Sequence, residues 1–174
     1  MTTETESSNP TSDASATVIN GSVIASVTIR PASAADYEDA ARLFRSTMGE
    51  SFRLNQQLWQ DICAAETHRV FMATEESGEA VGVSVVVVSD RIRLAAGTRR
   101  RRFHLDELIV APEKRQHGIG RALLEHVKSI AAKEAPSYII INCNFTNVAA
   151  RRLYEAAGLY LVRQSNDRFE IAFS

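Results

Sequence analysis

The sequence predicts a single α/β (α+β) domain built on one mixed β-sheet flanked by helices. Segments with the alternating apolar pattern of strands are interspersed with amphipathic helical segments, and several strands follow one another in the middle of the chain. The chain has 174 residues, of which 45% are apolar, which is enough for one complete core. Length and pattern together favour one domain rather than two.

The elements follow from the periodicity and from the residues that interrupt it. The first strand ends at Pro31, and Ser33 can cap the helix that runs to Met48. Gly78 marks a turn between two central strands, and Gly158 ends the last helix. Strands are expected at residues 23–30, 69–73, 80–89, 103–110, 138–142 and 168–173, and helices at 33–48, 55–65, 118–135 and 147–157.

The first 22 residues differ in composition from the rest of the chain. Residues 1–22 are rich in Ser, Thr, Ala and Asn and contain few large hydrophobic residues. Such a segment cannot bury enough apolar surface to offset the entropy cost of ordering, so a disordered polar tail is expected there. It has the pattern of neither a secretory signal nor a mitochondrial transit peptide. The folded domain is therefore expected to comprise residues 23–174.

Charge and hydropathy exclude two classes of function. Twenty Lys and Arg against 21 Asp and Glu give a net charge of −1, whereas a nucleic-acid-binding domain normally carries a global positive field. The longest strongly apolar run, residues 80–88, is far shorter than the roughly 20 residues that cross a bilayer. Two cysteines are too few for a disulfide framework, which favours a reduced compartment. We expect a cytoplasmic protein with no membrane or nucleic-acid partner.

The turn before the helix at 118–135 has the composition of a phosphate-binding site. Gly118 and Gly120 lack β-carbons, so a ligand can approach the backbone, and the first amides of the helix have no partner inside it. The segment is not a Walker loop, which needs Gly-Lys-Ser/Thr, nor a dinucleotide fingerprint, which needs a glycine where Leu123 stands. An ordinary loop before an amphipathic helix is the alternative.

Two segments resemble the motifs of the GCN5-related N-acetyltransferase (GNAT) family. Residues 115–120, Arg-Gln-His-Gly-Ile-Gly, follow a strand ending in Val-Ala-Pro and resemble the family's R/Q-x-x-G-x-G/A motif. Residues 147–155, followed by Gly158-Leu159, resemble its N-x-x-A-x-x-L-Y-E…G-F segment, with Leu in place of Phe. The two motifs occur in order with a strand between them, so the chain is identified as a member of this family.

The resemblance implies a sheet that splays open at its central strand and holds acetyl-CoA, as co-substrate, in the cleft. The pyrophosphate would lie on the amides of the glycine turn, and the pantetheine arm would pair with the backbone of the strand at 103–110. Asn147 matches the motif asparagine, although asparagine also caps helices well. The residues expected to bind the coenzyme are Leu108, Ile109, Val110, Arg115, Gln116, His117, Gly118, Ile119, Gly120, Arg121 and Asn147.

Acetyl transfer to an amine needs a base and benefits from an acid. The amine must lose a proton, because an alkylammonium with a pKa of about 10.4 has no lone pair for attack. The developing oxyanion can accept a hydrogen bond from a backbone amide near Val110, and the departing thiolate benefits from a proton. Tyr154 aligns with the family's motif tyrosine, whose hydroxyl reaches the coenzyme sulfur, so we expect it to be the acid. A core aromatic is the alternative.

The base is expected on the strand at 103–110. Side-chain alternation along the strand predicts that His104 and Asp106 lie on one face, about 7 Å apart along the strand, and that Glu107 points the other way. The first two are also the positions, counted back from Arg115, where several family members resemble each other in carrying a Glu or His base. We therefore expect Asp106 first and His104 second, with Glu107 third and more suited to a salt bridge. A solvated strand end is the alternative for the first two.

An arginine-rich segment belongs to neither motif. Arg91, Arg93 and Arg99–Arg102 place six of the 20 basic residues between two strands. They could clamp an acidic substrate, contact phosphate or RNA, or serve as a localisation signal, but the net charge favours a solvated hairpin loop. No Cys/His spacing matches a metal site, so no metal is expected.

The sequence therefore predicts an acetyl-CoA-dependent N-acetyltransferase that acetylates a primary amine of a small molecule by direct attack. The alternatives are a protein acetyltransferase that acts on a chain N-terminus or a lysine, and a non-catalytic acyl-CoA-binding sensor. A homodimer stays open. Trp59, Phe52 and Met48 lie where the family's acceptor pocket usually forms, although helical periodicity alone would make them core.

Overall fold

A computed structural model describes residues 27–144, 146–163 and 167–174. The expected disordered tail at 1–22 lies outside these residues, as do the first four residues of the expected first strand. The described strands are β1 (Val27–Pro31), β2 (His68–Glu75), β3 (Ala80–Arg93), β4 (Thr98–Val110), β5 (Ser137–Cys143), β6 (Tyr160–Arg163) and β7 (Asp167–Phe173). The described α-helices are α1 (Tyr37–Met48), α2 (Gln56–Ala64), α3 (Ile119–Lys133) and α4 (Val148–Ala156).

The strands form one mixed sheet in the order β1-β2-β3-β4-β5-β7-β6. β4 and β5 pair in parallel, and the other neighbouring strands pair antiparallel. Helices cover both faces, so the predicted α/β class with one mixed sheet is confirmed. β6 was not expected, because a strand of four residues at the sheet edge is too short to show a clear alternation of apolar residues.

Two apolar cores lie on opposite faces of the sheet. The α3 core faces α3 and α4 and contains Leu123 and Tyr154, whereas the α1 core faces α1 and α2 and contains Leu43 and Trp59. The indole Nε1 of Trp59 donates a 3.1 Å hydrogen bond to the carbonyl oxygen of Ser33, inside the α1 core. Trp59 is therefore a core residue that holds α2 against the first turn of the domain.

The sheet opens between β4 and β5. Their pairing begins at Arg101↔Ser137 and ends at Leu105↔Ile141. Beyond that point β4 continues for five residues and β5 for two without pairing with each other. The central splay that the family resemblance implied is thus confirmed, and the gap exposes backbone and side chains of the second half of β4.

A β-bulge interrupts β4 at the expected base positions. Val86 pairs with Leu105 and Val85 with Glu107, so Asp106 has no partner on β3. An extra residue of this kind shifts the side-chain alternation of the strand by one position. The faces predicted for residues beyond the bulge are therefore reversed.

The apolar contacts confirm the reversal. Leu105 and Leu108, three residues apart, both pack on the α3 core, which regular alternation would forbid. His104 lies on the opposite face, and the bulge brings Glu107 to that same face. The prediction that Glu107 points away from His104 is therefore wrong, because it assumed a regular strand.

The arginine-rich segment forms strand rather than loop. β3 and β4 extend as a long hairpin, with Arg91 paired to Arg100 and Arg93 to Thr98, and the chain turns over at Gly97, whose φ is +60°. The expected solvated loop is thus much shorter than the sequence suggested. Periodicity could not detect these strand ends, because their side chains are charged on both faces.

Candidate active site

The gap between β4 and β5 forms a cleft of about 410 Å³ bounded by the end of β4, the first turn of α3 and α4. Nine residues singled out from the sequence line it: Leu108, Val110, Arg115, Gln116, Gly118, Gly120, Arg121, Asn147 and Tyr154. The lining also includes Lys114, Ala149, Ala150 and Leu153, which were not among the residues expected to bind the coenzyme. The last three belong to the second motif, so its helical spacing could have identified them.

Three residues expected at the coenzyme have side chains outside the lining. Ile109 is buried in the α1 core and Ile119 in the α3 core, so only their backbone groups are available to a ligand. His117 is exposed, and its Nδ1 lies 2.8 Å from the carbonyl oxygen of Arg115.

The glycine turn leaves several backbone amides free at the start of α3. Gln116 and Gly118 have φ angles of +65° and +85°, and Gly118 is the N-cap residue of α3. The first intrahelical bond runs from the amide of Ala122 to the carbonyl oxygen of Gly118, at 2.9 Å. The amides of residues 119–121 precede that bond, so they keep their hydrogen-bonding capacity for an anion at the positive end of the helix dipole.

The end of β4 also presents unpaired backbone groups to the cleft. The amide of Ala111 donates to the carbonyl oxygen of Val81 on β3, at 2.9 Å. Adjacent residues of a strand direct their backbone groups to opposite sides, so the groups of Val110 and Leu108 point away from β3 and into the gap. Consistent with this direction, Nε of Arg115 donates to the carbonyl oxygen of Val110 at 3.2 Å.

Asn147 has a structural role in addition to its place in the lining. Its Oδ1 accepts a 3.1 Å hydrogen bond from the amide of Ala150, which makes Asn147 the N-cap of α4. For Oδ1 of Asn147, the structure therefore shows the helix-capping role. By fixing the start of α4, it also fixes the position of Tyr154 two turns later.

Tyr154 is almost enclosed at the inner end of the cleft, with 7% of its surface exposed. Its ring packs edge-on against Phe169, with 5.4 Å between the centroids. Burial, followed by the charges of Cys143 and Glu107, raises the pKa of Tyr154 well above its ordinary value of 10. The hydroxyl is thus protonated at neutral pH and can act as a hydrogen-bond donor or an acid.

His104 and Asp106, on β4, form a small polar cluster with Asn142, which lies across the gap on β5. Nδ1 of His104 lies 4.0 Å from Oδ1 of Asp106, and its Nε2 lies 3.1 Å from the amide nitrogen of Asn142. The amide donor favours the neutral tautomer that carries its proton on Nδ1, facing Asp106. Burial, more than the charge of Arg102, lowers the pKa of His104 below 6.5. Asn142 was missed because it lies in no motif.

Glu107 is the base candidate whose charge affects the pKa of Tyr154. It is half-buried, and burial, followed by the charge of Asp106, raises its pKa above the ordinary value of 4.5. Its charge in turn contributes to the raised pKa of Tyr154. Asp106, at the bulge, has a side chain that is 55% exposed.

Neither a metal-ion cluster nor a membrane-spanning helix occurs in the described ranges. Among residues 27–144, 146–163 and 167–174, no three His, Cys, Asp or Glu side chains come together in a way that could hold a metal ion. Within the same ranges, none of the helices has both the length and the apolar character needed to span a bilayer.

Solved structures with this architecture include several acetyltransferases. The BH1408 protein of Bacillus halodurans, crystallised as a tetramutant, is 25% identical and has a TM-score of 0.69, over 79% of this chain and 96% of that chain. Arabidopsis thaliana NAA60 in complex with acetyl-CoA is 16% identical with a TM-score of 0.69, over 84% and 97% of the two chains. The ribosomal-protein-S18-alanine N-acetyltransferase from Escherichia coli is 20% identical with a TM-score of 0.63, over 84% and 92%.

At identities of 16% and 20%, the last two of these structures show a shared fold with this chain. A search of curated protein sequences finds no match. The sequence model of the acetyltransferase (GNAT) family matches residues 34–159, which include both motifs, the bulged strand and the whole cleft lining. The chain therefore belongs to the GNAT family of acetyltransferases.

Proposed function

We propose that this protein is an acetyl-CoA-dependent N-acetyltransferase that acts by direct attack of a primary amine on the thioester. The observation that supports this most strongly is the composition of one cleft. Free helix-start amides, outward-facing backbone groups of β4 and the protonated hydroxyl of Tyr154 all border the same 410 Å³ space. These three features match, in order, the three chemical parts of an acyl-coenzyme: the anionic pyrophosphate, the amide-containing pantetheine arm and the thiol.

The coenzyme is proposed to lie along this cleft from the glycine turn towards Tyr154. The pyrophosphate would accept hydrogen bonds from the amides of residues 119–121, with Arg115 and Arg121 adding positive charge. The pantetheine arm would pair with the backbone of Leu108 and Val110 as an added strand. A relative of the same fold, NAA60 of Arabidopsis thaliana, is solved in complex with acetyl-CoA, which supports the proposal.

The base is proposed to be Glu107, ahead of His104 and Asp106. A base must hold its proton-accepting form at neutral pH and lie near the leaving group. Burial raises the pKa of Glu107 above 4.5, which makes it a stronger base than an exposed carboxylate, and its effect on the pKa of Tyr154 supports the second condition. His104, whose pKa burial lowers below 6.5, is the second candidate. Asp106 is the most exposed of the three, so its environment is the least suited to the role.

In the proposed reaction, the base accepts a proton from the ammonium group, directly or through a water. The amine nitrogen then attacks the thioester carbon, and the oxyanion accepts a hydrogen bond from a free backbone amide of β4, such as that of Val110. The C–S bond breaks as the carbonyl re-forms, and the hydroxyl of Tyr154 donates its proton to the leaving thiolate. The attacking nitrogen, which is positively charged after the attack, loses a second proton, and this proton returns to Tyr154 directly or through a water, so that a neutral amide and a thiol are left.

Tyr154→Phe tests the proposal, because it keeps the ring that packs on Phe169 and removes only the proton donor. We expect kcat for thiol release to fall by roughly 10²-fold, the low end for general acid catalysis, with acetyl-CoA affinity and Tm unchanged. Tyr160→Phe, an exposed residue of β6 outside the cleft lining, is the matched control. If Tyr154→Phe keeps full kcat under conditions where chemistry limits the rate, the hydroxyl has no catalytic role and the tyrosine contributes only packing.

A second readout separates the enzyme from the acyl-CoA sensor. A panel of small amines and of peptides with free N-termini or lysines is presented with acetyl-CoA, and free thiol is measured. Tight acetyl-CoA binding without thiol release for any amine would favour the non-catalytic sensor. Release with small amines alone would favour the small-molecule acceptor expected from the sequence.

A further inference from the structure

The β3–β4 hairpin and β7 together form a strongly basic surface beside the cluster of base candidates. We define the basic face as Arg91, Arg93, Arg100, Arg102 and Arg168. Four of these five arginines, with Thr98, Tyr138 and Glu170, line a surface cavity of about 240 Å³. The fifth, Arg102, pairs with Tyr138 on β5, which is one of the residues that line the cavity.

The two faces of the hairpin differ in how far their arginine charges are neutralised. Arg99 and Arg101, on the α3 side, are neutralised: both form salt bridges with Asp90, and Nη1 of Arg101 lies 2.8 Å from a carboxylate oxygen of Glu134. Side chains of the basic face lie on the opposite side, because strand neighbours alternate. The α3 side of the hairpin is therefore matched in charge.

The basic face has far less negative charge to balance it. Glu170, 3.3 Å from Arg168, is the one carboxylate among the described residues that line the cavity. Arg100 lies over the ring of Tyr138, with its Cζ 5.2 Å from the ring centroid, and Nε of Arg102 donates to the hydroxyl of Ser89 at 3.0 Å. These contacts hold two guanidinium groups in place without neutralising them. Arrays of fixed, unneutralised guanidinium groups suit carboxylates or phosphates.

The basic face leads directly to the proposed reaction centre. Arg102 and Arg100 stand two and four residues before His104 on the same face of β4, which places them about 7 and 14 Å away along the strand. Arg91 pairs with Arg100, so it lies at a similar distance, and Arg93 lies beyond it. The positive charges therefore cover a span of roughly 7–20 Å from His104, and Glu107 lies about 7 Å farther along, because its partner on β3 is two residues beyond that of His104.

This span is too long for a small amino acid or amino sugar. An extended peptide advances about 3.4 Å per residue, so a chain with its amine beside His104 would pass the basic face with its second to sixth following residues. Nucleic acid is the less suitable ligand, because the chain as a whole has a net charge of −1 and nucleic-acid binding depends on widespread phosphate neutralisation.

We propose that the acceptor is an acidic peptide segment, whose amine lies at the cluster of base candidates and whose carboxylates lie on the basic face. The inference rests on the proposed N-acetyltransferase function and names its substrate class. It differs from the small-molecule acceptor and from the merely solvated arginines expected from the sequence. The physical reason is that hairpin pairing places alternate arginines on one face, which the sequence order alone does not reveal.

The experiment uses two peptides of eight residues that differ only in charge. Both have a free N-terminus and an amidated C-terminus; one carries Asp and Glu at positions three to six, and the other carries Asn and Gln there. We expect kcat/KM for the acidic peptide to exceed that for the neutral peptide by at least tenfold at low salt. The preference should shrink as salt is added, because the charges are partly exposed.

Two adjacent arginines provide matched variants. Arg100→Gln removes a charge from the basic face, and Arg99→Gln makes the same change on the opposite face of the same strand. We expect Arg100→Gln to raise KM for the acidic peptide about five- to tenfold, with kcat, acetyl-CoA affinity and the neutral peptide little changed. Arg99→Gln should leave all four quantities close to wild type. Equal effects of the two variants would overturn the inference, because they would reflect net charge rather than a site.

The outcomes separate this inference from the proposed function. If neutral peptides or small amines are acetylated as well as the acidic peptide, the acetyltransferase stands and the acidic acceptor is wrong. If acetyl-CoA binds but no amine or peptide of any charge releases thiol, the proposed function itself fails. Binding of an RNA oligomer more tightly than the acidic peptide, weakened by Arg100→Gln, would assign the basic face to nucleic acid and overturn the inference.

Discussion

Replacing Gly120 by alanine separates the requirements of the coenzyme from those of the fold. Gly120 is the second residue of α3, and a β-carbon there would lie 3.5 Å from Cδ2 of Leu153 and 3.6 Å from Cγ2 of Val110. Both are ordinary van der Waals distances, so alanine fits without displacing a neighbour. Because alanine is favoured over glycine in a helix by up to about 1 kcal/mol, the free energy of unfolding should stay the same or rise.

The same methyl group would stand in the proposed path of the pyrophosphate. Both side chains that it would touch line the cleft. A hydrogen bond to a charged group contributes about 1.5–3 kcal/mol, so losing one amide–phosphate contact corresponds to roughly a 10- to 150-fold increase in Kd. We expect calorimetric titration with acetyl-CoA to show a weakening of this size, while thermal unfolding shows an unchanged or higher Tm.

Gly158→Ala is the matched control, because it makes the same chemical change outside the cleft. Gly158 has a φ of +83°, and a β-carbon there would meet nothing within 4 Å. A left-handed alanine costs about 1–2 kcal/mol, which lowers Tm by roughly 2–8 °C in a chain of this size, with no change in acetyl-CoA affinity. Wild-type affinity in Gly120→Ala would refute the placement of the pyrophosphate at this turn.

Two carboxylates give pH-dependent predictions. Hydrogen bonds of 2.6 and 3.0 Å from Arg30 lower the pKa of Asp36 to about 2, from 3.8. The lowered pKa contributes about 2 kcal/mol to the free energy of unfolding; this contribution is present above pH 3.8 and is lost as the pH falls through 2. In urea unfolding at pH 7, Asp36→Asn should remove it. The control Asp39→Asn, at an exposed ion pair, should cost under about 1 kcal/mol. For catalysis, kcat/KM should fall as the pH drops through the raised pKa of Glu107, and Glu107→Gln should abolish this limb. A limb below pH 6.5 that survives Glu107→Gln and disappears in His104→Gln would assign the base to His104.

The elements with strong periodicity could be predicted from the sequence. α3 was expected at residues 118–135 and is found at Ile119–Lys133, with Gly118 as its N-cap. The reason is that its apolar residues repeat at helical spacing and that glycine at the start permits the left-handed φ of the cap. The two motifs likewise led to most of the cleft lining, because each is local in sequence and its parts lie on one turn or one helix.

The bulge in β4 was missed, although the sequence contains a signal for it. Leu105 and Leu108 stand three residues apart across Asp106 and Glu107, and a regular strand would place the two leucines on opposite faces. Since both pack on the α3 core, one extra residue must lie between them. Two large apolar residues at odd spacing in an otherwise alternating strand could therefore have predicted a bulge, and with it a different order of base candidates.

The basic face could not be predicted in the same way. A run of four arginines has no apolar alternation, so periodicity finds neither the strand nor its two faces, and Arg168 is more than sixty residues away in sequence. Only the pairing of β4 with β5, and of β5 with β7, brings Arg168 to the same cavity as Arg100. Long-range register is the information that a single sequence does not contain.

The two proposed ligands would reach the reaction centre from opposite faces of the sheet. The coenzyme cleft lies on the side of α3 and α4, whereas the basic face lies on the other side, and the unpaired ends of β4 and β5 leave a passage between them. Direct attack requires both substrates to be bound at once, and a gap in the sheet permits this without either blocking the other.

The separation of the two sites also keeps two anionic ligands apart. Residues of the glycine turn would neutralise the pyrophosphate, and the basic face would neutralise the acceptor. The net charge of −1 for the whole chain does not reveal these two local groups of positive charge. Raising the salt concentration should therefore increase the acceptor KM and the coenzyme Kd independently, and Arg100→Gln should reduce the salt dependence of the first alone.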